Sequence, residues 1–211
     1  MTGRFITFEG GEGAGKSTQA ALLTERLRAA GVEVVATREP GGTPGAEAIR
    51  TLIVEGDPDR WSAITEALLV NAARADHVTR LIKPALARDA WVVCDRFVDS
   101  TMAYQGAGRG LARDALSAEH MFATNNLWPD LTMVLDLPVA LGKARASARG
   151  RLDRFERTGG GFHDRVAMSF REAARAEPHR VRLIDASGGI DAIAAAVWHE
   201  VAPLLMARVA A

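Results

Sequence analysis

The stretch Gly10-Gly11-Glu12-Gly13-Ala14-Gly15-Lys16-Ser17 is the part of the chain best suited to chemistry. It follows the pattern G-x-x-x-x-G-K-[ST]. Glycines at these spacings let backbone N–H groups turn inward as a nest for phosphate oxygens. A helix that starts at the lysine adds its positive N-terminal end. Lys16 can reach the β- and γ-phosphates as a point charge, and the Ser17 hydroxyl is a ligand type for Mg²⁺. Residues Gly10 to Ser17, with Thr18 after them, therefore predict a site for a nucleoside triphosphate. A glycine-rich turn that only caps a helix is the alternative. The strand-like run before the loop and the helical run after it are the context that a phosphate loop requires.

A phosphate loop works with a carboxylate on a neighbouring strand that holds Mg²⁺ or its water. Asp95 ends the apolar run Trp91-Val92-Val93-Cys94 and is the favoured residue. Asp136 ends Met133-Val134-Leu135 and is the rival, or caps the helix after Pro138. Ser17 and Asp95 are thus the predicted metal ligands. Glu9, directly before the loop, either supports the ion or a substrate hydroxyl, or is a strand-end carboxylate satisfied by the loop's own N–H groups.

No Asn-Lys-x-Asp segment for reading guanine occurs, which weighs against a GTPase switch. A kinase of a phosphorylated acceptor needs a second anion site facing the first. Arg38 and Arg96 stand after two predicted strands and suit bidentate phosphate recognition. Farther on, Arg145, Arg149, Arg151 and Arg154 are interspersed with Gly150 and Gly159-Gly160-Gly161. This reads either as a basic surface helix end or as a lid, at about residues 149–161, that brings arginines to the transferring phosphoryl group and excludes water. Glu12 adds to the second reading, because the loop's variable positions carry no arginine.

These residues need a scaffold that gathers them. Short apolar, β-branched runs at Phe5–Phe8, Val32–Thr37, Trp91–Cys94, Leu131–Leu137 and Val181–Ile184 predict five strands. Helical patterns cover Lys16–Ala30, Ala46–Glu55, Ala63–Ala87, Arg113–Ala123, a stretch after Pro138, Phe162–Ala176 and the segment after Gly189. Residues 39–45 read as a turn-rich loop, and residues 96–110 as a polar, glycine-containing stretch. Alternation of this kind gives an α/β fold of the P-loop NTPase type, a five-stranded parallel sheet with helices on both faces. Ligands then bind beyond the carboxyl ends of the strands, where Glu9, Arg38, Asp95 and Arg96 gather.

The 211 residues are enough for one domain with a full core, and 48% of them are apolar. Lys plus Arg and Asp plus Glu number 26 each. A net charge of zero gives no general attraction to nucleic acid or to an anionic membrane. No run of 18 apolar residues exists, and no signal peptide precedes the first strand. The single cysteine, Cys94, excludes an internal disulfide and predicts a reducing, cytoplasmic setting.

With these pieces in place the chain resembles the thymidylate kinase family over almost its whole length. The resemblance is carried by Phe8-Glu9-Gly10 leading into the loop, Arg38-Glu39-Pro40-Gly41-Gly42-Thr43, and Asp95-Arg96-Phe97 followed by Ser100-Thr101 and Ala103-Tyr104-Gln105-Gly106. Leu135-Asp136-Leu137-Pro138 and Arg149-Gly150-Arg151-Leu152-Asp153-Arg154-Phe155-Glu156 complete it. It implies a nucleoside monophosphate kinase-like fold with a short lid, transfer of the γ-phosphoryl group of ATP to dTMP with Mg²⁺, and a homodimer. By resemblance Arg38 and Arg96 bind the acceptor phosphate, and Asp95 organises Mg²⁺. Arg74 reads the thymine edge, Thr101 and Gln105 lie where family members contact the base, and Phe97 is counted with them as substrate-binding. Tyr104 packs where a ribose 2′-hydroxyl would project. Lys16, Asp95 and Arg96, with Arg149 and Arg154 from the lid, form the catalytic set. The family usually places phenylalanine, which stacks on thymine, four residues before the base-reading arginine. Here that residue is Val70, which gives apolar contact without stacking and loosens base binding, or else another aromatic, Tyr104 or Phe97, fills the place. Kinases of another nucleoside monophosphate or of a deoxynucleoside, and an NTP-dependent switch, are the competing readings.

Overall fold

The computed structural model describes residues 3–148, 150, 153–159 and 161–209. Five strands form one parallel sheet: β1 (Phe5–Glu9), β2 (Val34–Arg38), β3 (Trp91–Asp95), β4 (Leu131–Asp136) and β5 (Val181–Asp185), in the order β2-β3-β1-β4-β5. The three inner strands are buried almost without interruption because helices cover both faces. The edge strands β2 and β5 mix buried and more exposed positions.

Side chains alternate between the two faces with the period of two that a strand imposes. Ile6, Phe8, Trp91, Val93, Met133 and Leu135 meet Leu23 and Leu27 of α1 (Lys16–Ala29) and Val197 and Val201 of α9 (Ile190–Val209). Phe5, Val92 and Cys94 point the other way, onto Val78, Ile82, Val98, Met102 and Leu116. Cys94 is a buried core residue, and burial raises its thiol pKa well above the usual value.

The chain is helical over residues 63–87, as the sequence pattern predicts, but not uniformly so. α3 (Ala63–His77) widens into a π-helical segment, Val78–Ile82, before α4 (Lys83–Ala87). Pro84 lies just beyond this widening. Proline lacks an N–H and crowds the carbonyl four residues back, and a wider turn relieves that crowding. Residues 96–110 differ more from the sequence expectation. α5 (Val98–Thr101) runs into a π-helical segment, Met102–Gly108, so most of this stretch is helical. Nearly every residue in it is buried, so it shows no amphipathic period. Gly108 is required there, because a Cβ would enter the Phe162 ring.

Four further helices complete the layers: α2 (Pro44–Val54), α6 (Arg113–Thr124), α7 (Val139–Ala148) and α8 (Phe162–Ala176). The Thr43 side chain caps α2 by accepting from Ala46 N–H at 3.3 Å. β2 starts two residues later than the apolar run suggests. Val32 N–H still donates to Leu27 O at 3.0 Å and closes the end of α1. The register pairs Phe8 and Arg38 with Asp95, which brings Glu9, Arg38 and Asp95 to one edge of the sheet.

Candidate functional site

The phosphate loop joins β1 to α1 at that edge. Gly10, Gly13 and Gly15 have φ of 130°, 67° and 92°, a region that side chains with a Cβ rarely enter. A Cβ at Gly10 would also strike the Leu135 carbonyl, and one at Gly13 the Gly142 carbonyl. The first turn of α1 carries no acidic residue, so nothing opposes an anion at its positive end. Lys16 Nζ donates to Gly11 O at 2.8 Å and to Gly10 O at 3.2 Å. Burial, with Arg96 close by, lowers the Lys16 pKa, and Glu12, Asp95 and Glu9 counter this.

Ser17 Oγ lies 2.5 Å from Asp95 Oδ2. A hydroxyl and a carboxylate together are hard oxygen donors of the kind Mg²⁺ takes when it keeps most of its water. The donor set therefore fits that ion. Asp136, the alternative carboxylate, is held instead by Arg171, with Nη2 3.0 Å from Oδ1.

Arg96 takes φ of 71°, a left-handed conformation that costs roughly 1–2 kcal/mol for a residue with a side chain. Its guanidinium turns back over the loop. Nη1 donates to Gly10 O at 3.2 Å and to Ser100 Oγ at 3.1 Å, and Nη2 reaches Glu12 Oε1 at 2.9 Å. Burial opposes its charge, but the surrounding negative groups outweigh burial and raise its pKa. Tyr104 lies under the same guanidinium at 4.9 Å and donates its hydroxyl to Glu12 Oε1 at 2.5 Å. Burial works against the Glu12 carboxylate, yet Arg96 and Lys16 hold its pKa down at about 2.

Glu9 is fully buried and lies beneath the cleft. It accepts from Phe97 N–H at 2.7 Å and from Ser100 Oγ at 2.5 Å, and so ties down the segment that carries Arg96. Burial, reinforced by Asp99, raises its pKa to about 8.

Beyond Arg96 the cleft continues between α2, α3 and α5, with a volume of about 310 Å³. Arg38 stands exposed on its rim, 2.9 Å from Glu47. Val70, Phe97, Thr101, Tyr104 and Gln105 line it, and Arg74 reaches it from α3. Every side of the Arg74 guanidinium is held: Nε by Glu39 Oε2 at 2.8 Å, Nη1 by Asn71 Oδ1 at 3.0 Å, and Nη2 by Thr101 Oγ1 at 2.9 Å. Gln105 Nε2 donates to Glu66 Oε1 at 2.9 Å.

The structure therefore brings Lys16, Ser17, Thr18, Arg38, Arg74, Asp95, Arg96, Thr101, Tyr104 and Gln105 into one cleft. It does not bring Arg154 there. Arg154 is fully buried, with Nη2 2.6 Å from Glu66, Nε donating to Ile53 O at 2.8 Å and Nη1 donating to Pro58 O at 3.1 Å. Its guanidinium is spent on the acceptor-side wall, where Glu66 offers a buried charge to pair with. Arg149, with Arg151, Leu152 and Gly160 of the lid stretch, lies outside the described residues.

Several site residues had weak sequence signals. Arg50 lines the cleft near Arg38 and donates to Pro40 O at 2.7 Å, although it reads as an ordinary polar position of α2. Glu39 sits in a turn-rich loop and becomes the partner of Arg74. His77 follows Arg74 by three residues, a same-face spacing that could have revealed it. Phe155 lines the cleft from residues 153–159.

A family model described as thymidylate kinase matches residues 8–197. The thymidylate kinase of Caulobacter vibrioides is 54% identical over 195 residues, covering 92% of this chain and 94% of that protein. That of Rhizorhabdus wittichii is 53% identical over 207 residues, covering 97% and 100%. The crystal structure of thymidylate kinase from Ehrlichia chaffeensis superposes with a TM-score of 0.72 at 35% identity, covering 86% of this chain and 92% of that one.

Proposed function

The chain belongs to the thymidylate kinase family, and from that footing we propose that it transfers the γ-phosphoryl group of ATP to the phosphate of dTMP, giving ADP and dTDP. The observation that carries this reading is the pairing of two anion sites in one cleft. Lys16, Ser17 and the loop face Arg38, Arg50 and Arg96, with Arg74 farther out as a reader of the base edge.

Ser17 and Asp95 would hold Mg²⁺, directly or through water, and the ion would neutralise charge on the β- and γ-phosphates. Lys16 leaves the loop carbonyls for the phosphate oxygens of ATP. Arg96 is fixed between Glu12 and Ser100 and holds the acceptor phosphate in line with the γ-phosphoryl group. Transfer is then direct, with no covalent intermediate, because both substrates are positioned face to face. Glu9 acts beneath the cleft by fixing Phe97 and Ser100. Tyr104, its hydroxyl committed to Glu12, offers ring carbon to the sugar. A ribose 2′-hydroxyl there would lose its water without gaining a partner, which disfavours ribonucleotides.

The segment at about 149–161 is proposed as the lid within a single domain, with Arg149 as the arginine that meets the transferring group. A cytoplasmic homodimer completes the reading. α3 and α6 pack together and expose Ile64 and Leu68 on one helix and Met121 and Phe122 on the other. The buried single cysteine suits a reducing compartment. Among the described residues no helix is long and apolar enough to cross a membrane.

ADP release measured against dTMP, AMP, UMP and CMP, with and without Mg²⁺, tests the reaction. Turnover should favour dTMP strongly and stop on chelation. Equal rates with all four acceptors would overturn the assignment.

A further inference from the structure

We propose that Phe155 is the aromatic surface against which the acceptor's base packs, and that the buried Glu66–Arg154 pair positions it there. The proposal rests on the reading that the base lies beside Val70 and Arg74. A nucleobase is a flat heteroaromatic ring, and it gains most from an aromatic face or edge. Among the described residues, three aromatic side chains line the cleft: Phe97, Tyr104 and Phe155.

Two of them have little ring left to give. Phe97 is completely buried, with Arg74 over it at 5.0 Å and Phe5 and His120 edge-on at 4.8 and 5.6 Å. Tyr104 is 5% exposed, lies under Arg96, and meets Phe162 edge-on at 5.8 Å. Phe155 is half-buried. It stands edge-on to Tyr104 at 5.7 Å and carries the Arg154 guanidinium at 4.5 Å, which leaves ring surface towards the cleft. Among the described residues the other apolar walls are aliphatic: Pro40, Ile53, Val54 and Val70.

The position of Phe155 is built, not incidental. Arg154 N–H donates to Val54 O at 3.1 Å, which pins the backbone beside the end of α2. The Arg154 side chain holds Ile53 O, Pro58 O and Glu66. Glu66 is itself buried and also receives Arg109 at 3.3 Å and Gln105 at 2.9 Å. Asp153 N–H donates to Glu156 Oε2 and Glu156 N–H to Asp153 Oδ1, at 3.0 and 2.9 Å, fixing the turn that presents the ring. A charge pair this deep is a poor source of stability, and its use here is geometric.

The test uses the full chain, with dTMP affinity measured by calorimetry and steady-state kinetics in both substrates. Phe155→Ala should raise the Kd and KM for dTMP about three- to tenfold and leave the KM for ATP unchanged. Phe155→Leu, which keeps the packing volume, should show the same loss, and Phe155→Tyr should not. Val70→Phe in the Phe155→Ala background should recover affinity by supplying a ring from α3. Arg154→Lys keeps a charge opposite Glu66 but loses the bonds to Ile53 and Pro58. It should raise the KM for dTMP while kcat at saturating dTMP stays within about twofold.

A wild-type enzyme that does not select dTMP would remove the acceptor reading itself. With a selective wild type, an unchanged dTMP affinity in both Phe155→Ala and Phe155→Leu overturns the Phe155 assignment. A fall in kcat at saturation with unchanged KM in Arg154→Lys overturns the positioning role.

Discussion

Glu39 stands between Arg74 and His77: its Oε2 accepts from Arg74 Nε at 2.8 Å while its Oε1 lies 3.0 Å from His77 Nδ1. Thr37 Oγ1 lies 2.7 Å from His77 Nε2, so the chain of contacts runs from β2 through α3 to the mouth of the cleft. All these groups except Thr37 are buried, and a buried hydrogen bond to a charged group is worth roughly 1.5–3 kcal/mol. Glu39→Gln keeps the shape and removes the charge that orients Arg74. It should raise the KM for the acceptor about tenfold or more and leave the KM for ATP near its original value. His77→Gln should have a smaller effect in the same direction. Steady-state kinetics in both substrates checks this, and a change confined to ATP would contradict it.

The sheet was legible because its inner strands are short apolar runs, and the phosphate loop because its chemistry is local in sequence. Five strands and the edge at which Glu9, Arg38 and Asp95 meet follow from those two facts. Residues 98–108 were not legible as helix. Burial on all sides erases the amphipathic period, and Gly106 and Gly108 resemble loop glycines until Leu116 and Phe162 pack against them. Arg154 shows a different limit. Its place among lid arginines suggests a phosphate contact, but Glu66, 88 residues earlier in the sequence, captures it. Glu39 and His77 escape for the same reason, since their roles come from pairings across elements.

Lys16 sits where it can exchange the Gly10 and Gly11 carbonyls for phosphate oxygens. Lys16→Ala removes that charge both in the bound state and during transfer. Turnover should fall by three orders of magnitude or more, roughly 4 kcal/mol of lost transition-state stabilisation. The coupled ADP assay measures it directly. Near-normal turnover would show that the loop does not hold the donor.

Glu9 gives the folded protein a pH dependence of definite sign. Its pKa rises from 4.5 to about 8 on folding, so between those values the folded chain binds a proton that the unfolded chain releases. The stability this contributes is fully present below about pH 4.5 and is lost as pH rises through about 8. Glu12 works in the opposite direction. Its pKa is held at about 2, so its contribution is present above 4.5 and lost as pH falls towards 2. Urea unfolding between pH 5 and 9 should show wild type losing stability relative to Glu9→Gln as pH rises. Parallel curves would mean that Glu9 is ionised throughout that range.

Gly142 of α7 packs directly on the phosphate loop. A Cβ there would collide with the Glu12 carbonyl, and one on Gly13 would collide with the Gly142 carbonyl, so the two backbones touch. Helix propensity alone would make Gly142→Ala stabilising by about 1 kcal/mol. Overpacking costs typically about 1–3 kcal/mol, and rigid backbone on the other side cannot swing away as a side chain would. The collision should win. Gly142→Ala should lower Tm and raise the KM for ATP severalfold, because relief requires moving either α7 or the loop that cradles the phosphates. The KM for dTMP should rise less than that for ATP, since the acceptor side feels the shift only through the Glu12 carboxylate that holds Arg96 and Tyr104. A Gly142→Ala enzyme that is more stable than wild type and binds ATP normally would show that α7 yields without disturbing the loop.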